Sequence, residues 1–568
     1  MQKTGAEIFV ECLIRENVEY LFGIPGGVLL PIFDKIYNSN LKYILTRHEQ
    51  GAVHMADGYA RATGRVGTCI ATSGPGATNL TTGLATAYMD SIPVVAFTGQ
   101  VATNLIGNDA FQEADTTGIT RPITKHNYLV KDVKDLSRII REAFYIASTG
   151  RPGPVLIDIP VDIARQTTEF IWPEKVELRT YKPTQKGHPF QIKKLADAIN
   201  NSKNPLLYVG GGAVTSDASK ELVQLAEKCD IPVTVTLMGL GIFPPDHKLY
   251  LGMLGMHGMY QANMAVQNAD LIVAIGARFD DRCTGNLSSF APKAEIIAHI
   301  DIDPTSISKN VFAHIPVVGD AKNILSELLP LVNHKKHSDW INKIKQWTEM
   351  HPLTYKNDDK LRPQYIIQQI NKLTKGDAII CTEVGQNQMW TAQFYKPNKP
   401  RHFISSGGLG TMGFGFPASI GVKFAKPKKT VIDIAGDGSF QMNIQELATA
   451  VINKINVIVV ILNNSYLGMV RQWQELFYGK RYSGVQLCTH PDKNGCQAIP
   501  DFVKVAQAYG AVGLRIKEKN EVEKILKKAL EIKNKPVIVD CIIEEEENVF
   551  PMVPAGAALD EILTSALA

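Results

Sequence analysis

Residues 430–466, TVIDIAGDGSFQMNIQELATAVINKINVIVVILNNSY, constrain the fold more than any other stretch of this chain. Thr430–Ala435 alternates β-branched residues and reads as a buried strand. Gly436-Asp437-Gly438-Ser439 is a glycine-flanked turn. Phe440, Ile444, Leu447 and Val451 recur at helical spacing, so a helix follows. Val457–Leu462 is a second apolar strand, and a right-handed crossover lays the two strands parallel. Asp437 then stands at the carboxyl end of one strand and Asn463-Asn464 at that of the other, where α/β folds bind ligands. A carboxylate and an amide oxygen are hard donors that suit Mg²⁺. The N–H groups that open the helix attract a diphosphate, and Gly438 lets a phosphate approach the backbone. A bare Gly-Asp-Gly turn is more often a capped helix start. The paired asparagines, the second of them 27 residues after the aspartate and directly behind a strand, turn the reading towards metal and phosphate.

At 568 residues the chain has room for three or four domains. Hydrophobic residues make up 45% and charged residues 20%, the balance of a globular protein with large cores. A net charge of +4 without a strong basic block gives no reason to expect nucleic acid. No apolar run reaches the ~18 residues of a membrane span. The amphipathic start MQKTGAEIFVECLIRE has no cleavable signal, so a cytoplasmic protein is expected. The eight cysteines (Cys12, Cys69, Cys229, Cys283, Cys381, Cys488, Cys496, Cys541) form no CxxC pair and read as reduced structural thiols.

Strand and helix patterns alternate throughout, predicting an α/β protein of three doubly wound parallel-sheet domains. The first occupies 1–165, with strands Tyr20–Ile24, Lys42–Thr46, Val66–Ala71, Pro93–Thr98 and Val155–Ile159. Residues 166–190 are polar, proline-bearing and aperiodic, a linker. The second domain, 191–332, has strands Pro205–Val209, Ile231–Leu237, Leu271–Ile275 and Ile296–Ile300. Residues 333–364 hold a solvated helix, with Trp340, Ile344 and Trp347 at helical spacing, and a second linker. The third domain, 365–548, begins with Ala378–Thr382. The tail, 549–568, is expected to fold over the site as a lid that excludes water.

Several loops carry chemistry. Glu49, in RHEQGAVHMADGYAR, opens a helix, where the dipole alone favours an acid. Phe111 and Gln112 lie in the polar loop GNDAFQEAD. Gly210-Gly211-Gly212 ends a strand and is equally a structural turn or a place for a ligand to approach the backbone. In ARFDDR, Arg278 and Arg282 have aspartate neighbours that offer only weak surface pairing. Asp301, in HIDID, suits ribose hydroxyls or solvent. SGGLGTMGFGFP places Met412 in a glycine-dense stretch, and Met469 and Trp473 share one helix face.

Together these strings resemble the thiamine-diphosphate (ThDP) enzymes. With the Phe-Gln pair they resemble in particular the acetohydroxyacid synthases, also called acetolactate synthases, in order and over nearly the whole chain. That resemblance implies decarboxylation of pyruvate and transfer of its two remaining carbons to pyruvate or 2-oxobutanoate. The products are 2-acetolactate or 2-aceto-2-hydroxybutanoate, at the first common step towards valine, leucine and isoleucine. It implies that Asp437, Asn464 and the Tyr466 carbonyl hold Mg²⁺, that Glu49 activates the aminopyrimidine, and that Gly26, Phe111 and Gln112 face the reaction. Met412 would be the wedge that bends ThDP, with Gln386, Asn387, Gly410, Gly436, Gly438 and Ser439 against it. FAD would lie near Arg151, Gly211, Thr236, His257, Gly276, Arg278, Asp301 and Asp320. Arg282, Trp473 and Met469 would receive the second oxoacid. A homodimer or dimer of dimers, and possession of a small regulatory subunit, are further implications. The alternative is an FAD-free, pyruvate-only synthase or another ThDP carboligase or decarboxylase, and the RFDDR string favours the FAD-bearing branch. Two departures stand out: Ala102 where the family often reads GQVP, and Val161 where it usually has lysine.

Overall fold

The structure, a computed structural model, describes residues 1–488 and 500–564. Cys496 and the last four residues of the tail lie outside them. Three six-stranded sheets, each wholly parallel, follow one another along the chain. The first runs, edge to edge, Lys42–Leu45, Tyr20–Gly23, Gly67–Ala71, Val94–Gln100, Val155–Pro160, His126–Leu129. The last runs Phe403–Ile404, Ile379–Thr382, Val431–Gly436, Ile458–Asn463, Val537–Ile542, Val512–Ile516. Numbered by first appearance, both have the order 2-1-3-4-6-5. The middle sheet runs Tyr250–Met253, Val233–Val235, Pro205–Val209, Leu271–Ile275, Ile296–Asp301, Ile315–Val318, the order 3-2-1-4-5-6 of dinucleotide-binding folds.

The two outer sheets reverse direction where their sixth strand inserts inside the fifth, and every order reverses beside its first strand. A crevice opens there at the carboxyl ends of the strands, because the flanking connections leave to opposite sides. In the last sheet the reversal lies between Ile379–Thr382 and Val431–Gly436, which delivers Asp437. In the middle sheet it lies between Pro205–Val209 and Leu271–Ile275, which deliver the glycine triplet and Gly276. In the first sheet it lies between Tyr20–Gly23 and Gly67–Ala71.

The outer domains share one apolar core. The helix Glu49–Thr63, launched by the second strand of the first sheet, packs on Gly415–Ala425, launched by the second strand of the last. They touch backbone to backbone: a Cβ on Gly58 would stand 2.2 Å from the Ala418 carbonyl oxygen, and one on Gly421 1.9 Å from that of Met55. Only glycine permits that approach.

The structure adds to the sequence reading in four places. The helix after Asp437 is broken into Asp437–Phe440, a 3₁₀ turn at Gln441–Asn443 and Glu446–Ile452. The expected linker 166–190 begins with a strand, Thr167–Glu169, paired antiparallel with Gln2–Thr4. The helix in 333–364 is Ser338–Met350, and its Trp340, Ile344 and Trp347 are buried against the middle domain rather than solvated. The tail is fastened down: Gln472 exchanges hydrogen bonds with the Val549 backbone, and Val553 N–H donates to the Met256 carbonyl. Cys12, Cys69, Cys229, Cys283, Cys381 and Cys541 are buried free thiols, as expected, but Cys488 is disulfide-bonded. Among the described residues no helix is long and apolar enough to cross a membrane.

Candidate active site

The cleft at the reversal of the last sheet encloses about 90 Å³. The pairing Gly436↔Leu462 brings the turn after Val431–Gly436 alongside Asn464, so Asp437, Asn464 and Tyr466 line one wall. Gln386, Asn387, Met412, Gly436, Gly438, Ser439 and Met469 complete it. Asp437 is the one charged side chain among the described lining residues. Burial pushes its carboxyl up to about 7, and Asp540 behind it adds in the same direction. A buried acid without a counter-charge is a site that a cation relieves. The two asparagines divide their work. Asn463 donates to Asp540 at 3.0 Å and is structural, whereas Asn464 is oriented towards the cleft by Gln386 Oε1 at 3.3 Å. Asn387 donates to the carbonyls of Glu383 and Ile434, both at 2.9 Å, tying the two strand ends together.

Met412 is presented by a loop, 405–413, that Gly410 and Gly413 turn through positive φ. Gly410 is in this loop but does not line the cleft. The loop ends on Glu383, whose buried carboxylate accepts from Gly413 N–H at 2.7 Å and Phe416 N–H at 3.0 Å.

Glu49, Gly26, Phe111 and Gln112 gather at the first sheet instead. A Cβ on Gly26 would strike Thr72, and one on Gly74 would strike the Gln112 backbone, so the two turns and the loop are in contact. Glu49 is 8% exposed and accepts from Asn79 Nδ2 at 2.9 Å. Its helix is positioned by Glu446 of the last domain, which accepts from Arg47 N–H at 3.0 Å and His48 N–H at 2.9 Å. Phe111 is 87% exposed, and Gln112 holds φ +60°. None of these four lines the Asp437 cleft of the same chain.

A larger crevice, about 260 Å³, opens at the reversal of the middle sheet. Arg151, Gly211, Thr236, Gly276, Arg278, Asp301 and Asp320 all line it. Cβ atoms on Gly210 or Gly212 would strike the Gly276 backbone, so the two strand-end turns lie directly on each other and leave a backbone-lined cradle. Asp320 also caps the helix Ala321–Leu328, and Arg151 pairs with Asp303 at 3.2 Å. His257 is not in the lining; it is buried beside the Pro551 backbone, and burial lowers its ring pKa to about 4. Arg282 lies over the Trp473 ring at 5.9 Å, and the indole N–H of Trp473 has no partner. Sequence reading missed Asp90, Ser91 and Met238, which also line this crevice. No local motif marks them.

Comparison with known proteins agrees with this layout. Three family models match: the N-terminal TPP binding domain of thiamine pyrophosphate enzymes over residues 3–119, their central domain over 192–328, and their C-terminal TPP binding domain over 383–541. The acetolactate synthase large subunit of Haemophilus influenzae is 50% identical over 572 residues, covering 99% of this chain and 98% of its own. The isozyme 3 large subunit of Escherichia coli is 49% identical over 575 residues, covering 99% and 98%. The acetolactate synthase of Mycobacterium bovis is 50% identical over 570 residues, covering 99% and 91%.

Proposed function

The chain belongs to the acetolactate synthase family of thiamine pyrophosphate enzymes, and on that premise we propose how its residues carry out the synthesis. Pyruvate is decarboxylated, and its two remaining carbons are joined to a second 2-oxoacid. The second acid is pyruvate, giving 2-acetolactate, or 2-oxobutanoate, giving 2-aceto-2-hydroxybutanoate, at the head of branched-chain amino acid synthesis. ThDP supplies the electron sink for decarboxylation.

Asp437, Asn464 and the Tyr466 carbonyl would hold Mg²⁺ for a diphosphate; the burial of Asp437 beside Asn464 without a counter-charge is the observation that supports this reading. The N–H groups after Gly436 receive the phosphate oxygens. Met412, in the cleft lining, would back the bound cofactor and hold its rings close to each other. Glu49 holds a proton at the pyrimidine ring nitrogen. The middle crevice binds FAD, supported by its strand order, its glycine cradle and the arginines and aspartates around it. Arg282 takes the carboxylate of the second oxoacid as a forked donor, and Trp473 beside it shapes room for the extra methylene of 2-oxobutanoate. The fastened tail shields this end from water.

The active unit is a homodimer. Glu49, Phe111 and Gln112 lie away from the cleft of their own chain, and an 87%-exposed phenylalanine on a polar loop fits a place against a second copy. Dimers pair into tetramers, and a smaller regulatory chain joins them, as the words "large subunit" in the relatives' names suggest. Six of the described cysteines are buried free thiols, which suits a cytoplasmic setting, with the disulfide-bonded Cys488 the exception.

One assay tests the whole. The purified protein is given pyruvate, alone and mixed with 2-oxobutanoate, with ThDP, Mg²⁺ and FAD omitted in turn. Acetolactate formation that survives removal of Mg²⁺ would overturn the metal assignment, and survival without FAD would remove the flavin.

A further inference from the structure

We propose that Asp90 and Arg61, both in the first domain, are positioning residues for the bend in ThDP: they form the buried socket that holds the Met412 loop. The inference rests on the reading of Met412 as the wedge. Asp90's side chain is wholly covered, and its carboxylate accepts three donors. Arg61 Nη2 donates at 2.8 Å, Gly407 N–H at 3.1 Å and Gly408 N–H at 2.7 Å. Arg61 is itself buried and serves both ends of the loop. Its Nη1 donates to the Ser405 carbonyl at 2.9 Å, and its guanidinium lies 5.1 Å over the ring of Phe414. A second pairing, the hydroxyls of Thr86 and Thr411 at 2.7 Å, fastens the residue next to Met412.

The geometry matters because the loop cannot hold itself. It is dense in glycine, with Gly407, Gly408, Gly410 and Gly413, so its backbone has much freedom to lose. Its own domain fixes it at the Glu383 end and at Ser405 and Ser406, through Gln388. The stretch 407–411 is anchored by the side chains of Asp90, Thr86 and Ser406. Asp90 can be removed without stranding a charge, since Arg61 Nε keeps its 2.5 Å bond to Asp57. Asp90 lines the middle crevice and not the Asp437 cleft, and Arg61 lines neither, so their contacts reach the bend through the Met412 loop.

The test is a double-mutant cycle in the full-length protein, read by ThDP affinity in saturating Mg²⁺ and saturating FAD, which keeps the two crevices apart, and by deuterium exchange at the thiazolium carbon. Met412→Ala, Asp90→Asn and the double variant are compared. Asp90→Asn is expected to weaken ThDP by about tenfold to a hundredfold, the scale of hydrogen bonds to a charged group, and to slow exchange. In the Met412→Ala background it should add less than about threefold, because residues acting as one unit are not additive. Thr86→Val, which leaves the ion pair intact, should give a smaller effect of the same kind at an unchanged melting temperature. If Met412→Ala weakens ThDP but Asp90→Asn and Thr86→Val do not, or if their effects multiply with that of Met412→Ala, the socket is refuted. If Met412→Ala itself changes neither affinity nor exchange, the wedge reading fails, and this inference with it.

Discussion

The first and last domains repeat one strand order and one set of connections, yet their reversals carry different chemistry. In both, the third strand runs into a four-residue helix, Pro75–Thr78 in one and Asp437–Phe440 in the other. In both, the second strand leads to a long helix, and the two helices lie on each other. The last domain places an acid at the start of the short helix and an amide on the neighbouring strand. The first domain has Ser73-Gly74 at the matching turn and puts its acid, Glu49, at the start of the long helix instead. The long helices are also launched differently. Glu383 fixes Gly415–Ala425 from within its own domain, whereas Glu446 reaches across to fix Glu49–Thr63. Topology sets where a crevice opens; one or two residues at the strand ends set its chemistry.

Four changes would break or sharpen that contrast. The largest is expected from Glu49→Gln: ThDP still binds, but proton exchange at the thiazolium carbon slows by about 10²–10⁴-fold, the range for a positioned acid or base. Unchanged exchange would make the two acids interchangeable ornaments of one topology. Next, Asp437→Ala should weaken Mg²⁺-dependent ThDP retention by about a hundredfold or more, as equilibrium dialysis would measure. Third, Gly421→Val should destabilise the protein by about 3 kcal/mol or more, since the added carbons meet backbone that cannot retreat; a melting curve like the wild type's would show the helices free to part. The smallest concerns pH. Burial raises the Glu446 carboxyl to about 7, above its unfolded value. A group raised in this way contributes stability that is complete below its unfolded pKa and is lost as pH rises through the folded one. Between pH 5 and pH 8 the wild type should therefore lose on the order of 2 kcal/mol that Glu446→Gln keeps. Equal slopes for the two would place the Glu446 proton elsewhere.

The parts legible in sequence are those whose signal is local. Asp437 and Asn464 announce themselves because a turn, a helix start and a strand end are written within thirty-odd consecutive residues. The central strands are legible as β-branched runs. Val537–Ile542 is as plain a run as its neighbours, but it leads into no motif and escapes a reading led by motifs. The edge strand His126–Leu129 is half-buried, and Phe403–Ile404 has two residues, too few for any period. His257 is drawn into the flavin set by resemblance, while its burial beside Pro551 is set by the tail, nearly three hundred residues on. Asp90, Arg61 and Glu446 look like ordinary helix residues, because the atoms they hold are hundreds of positions away.

The union of the two outer domains also bears on how the chain is made. The two helices at the centre of their common interior stand roughly 350 positions apart, from Thr63 to Gly415, which a ribosome adding about 5–20 residues per second takes some 20 to 70 s to cross. Through that interval the newborn first third carries a greasy, unpartnered helix face into the cell, while the middle third folds independently behind it. In an architecture where beginning and end complete each other, that face waits for its partner until the last third has been made.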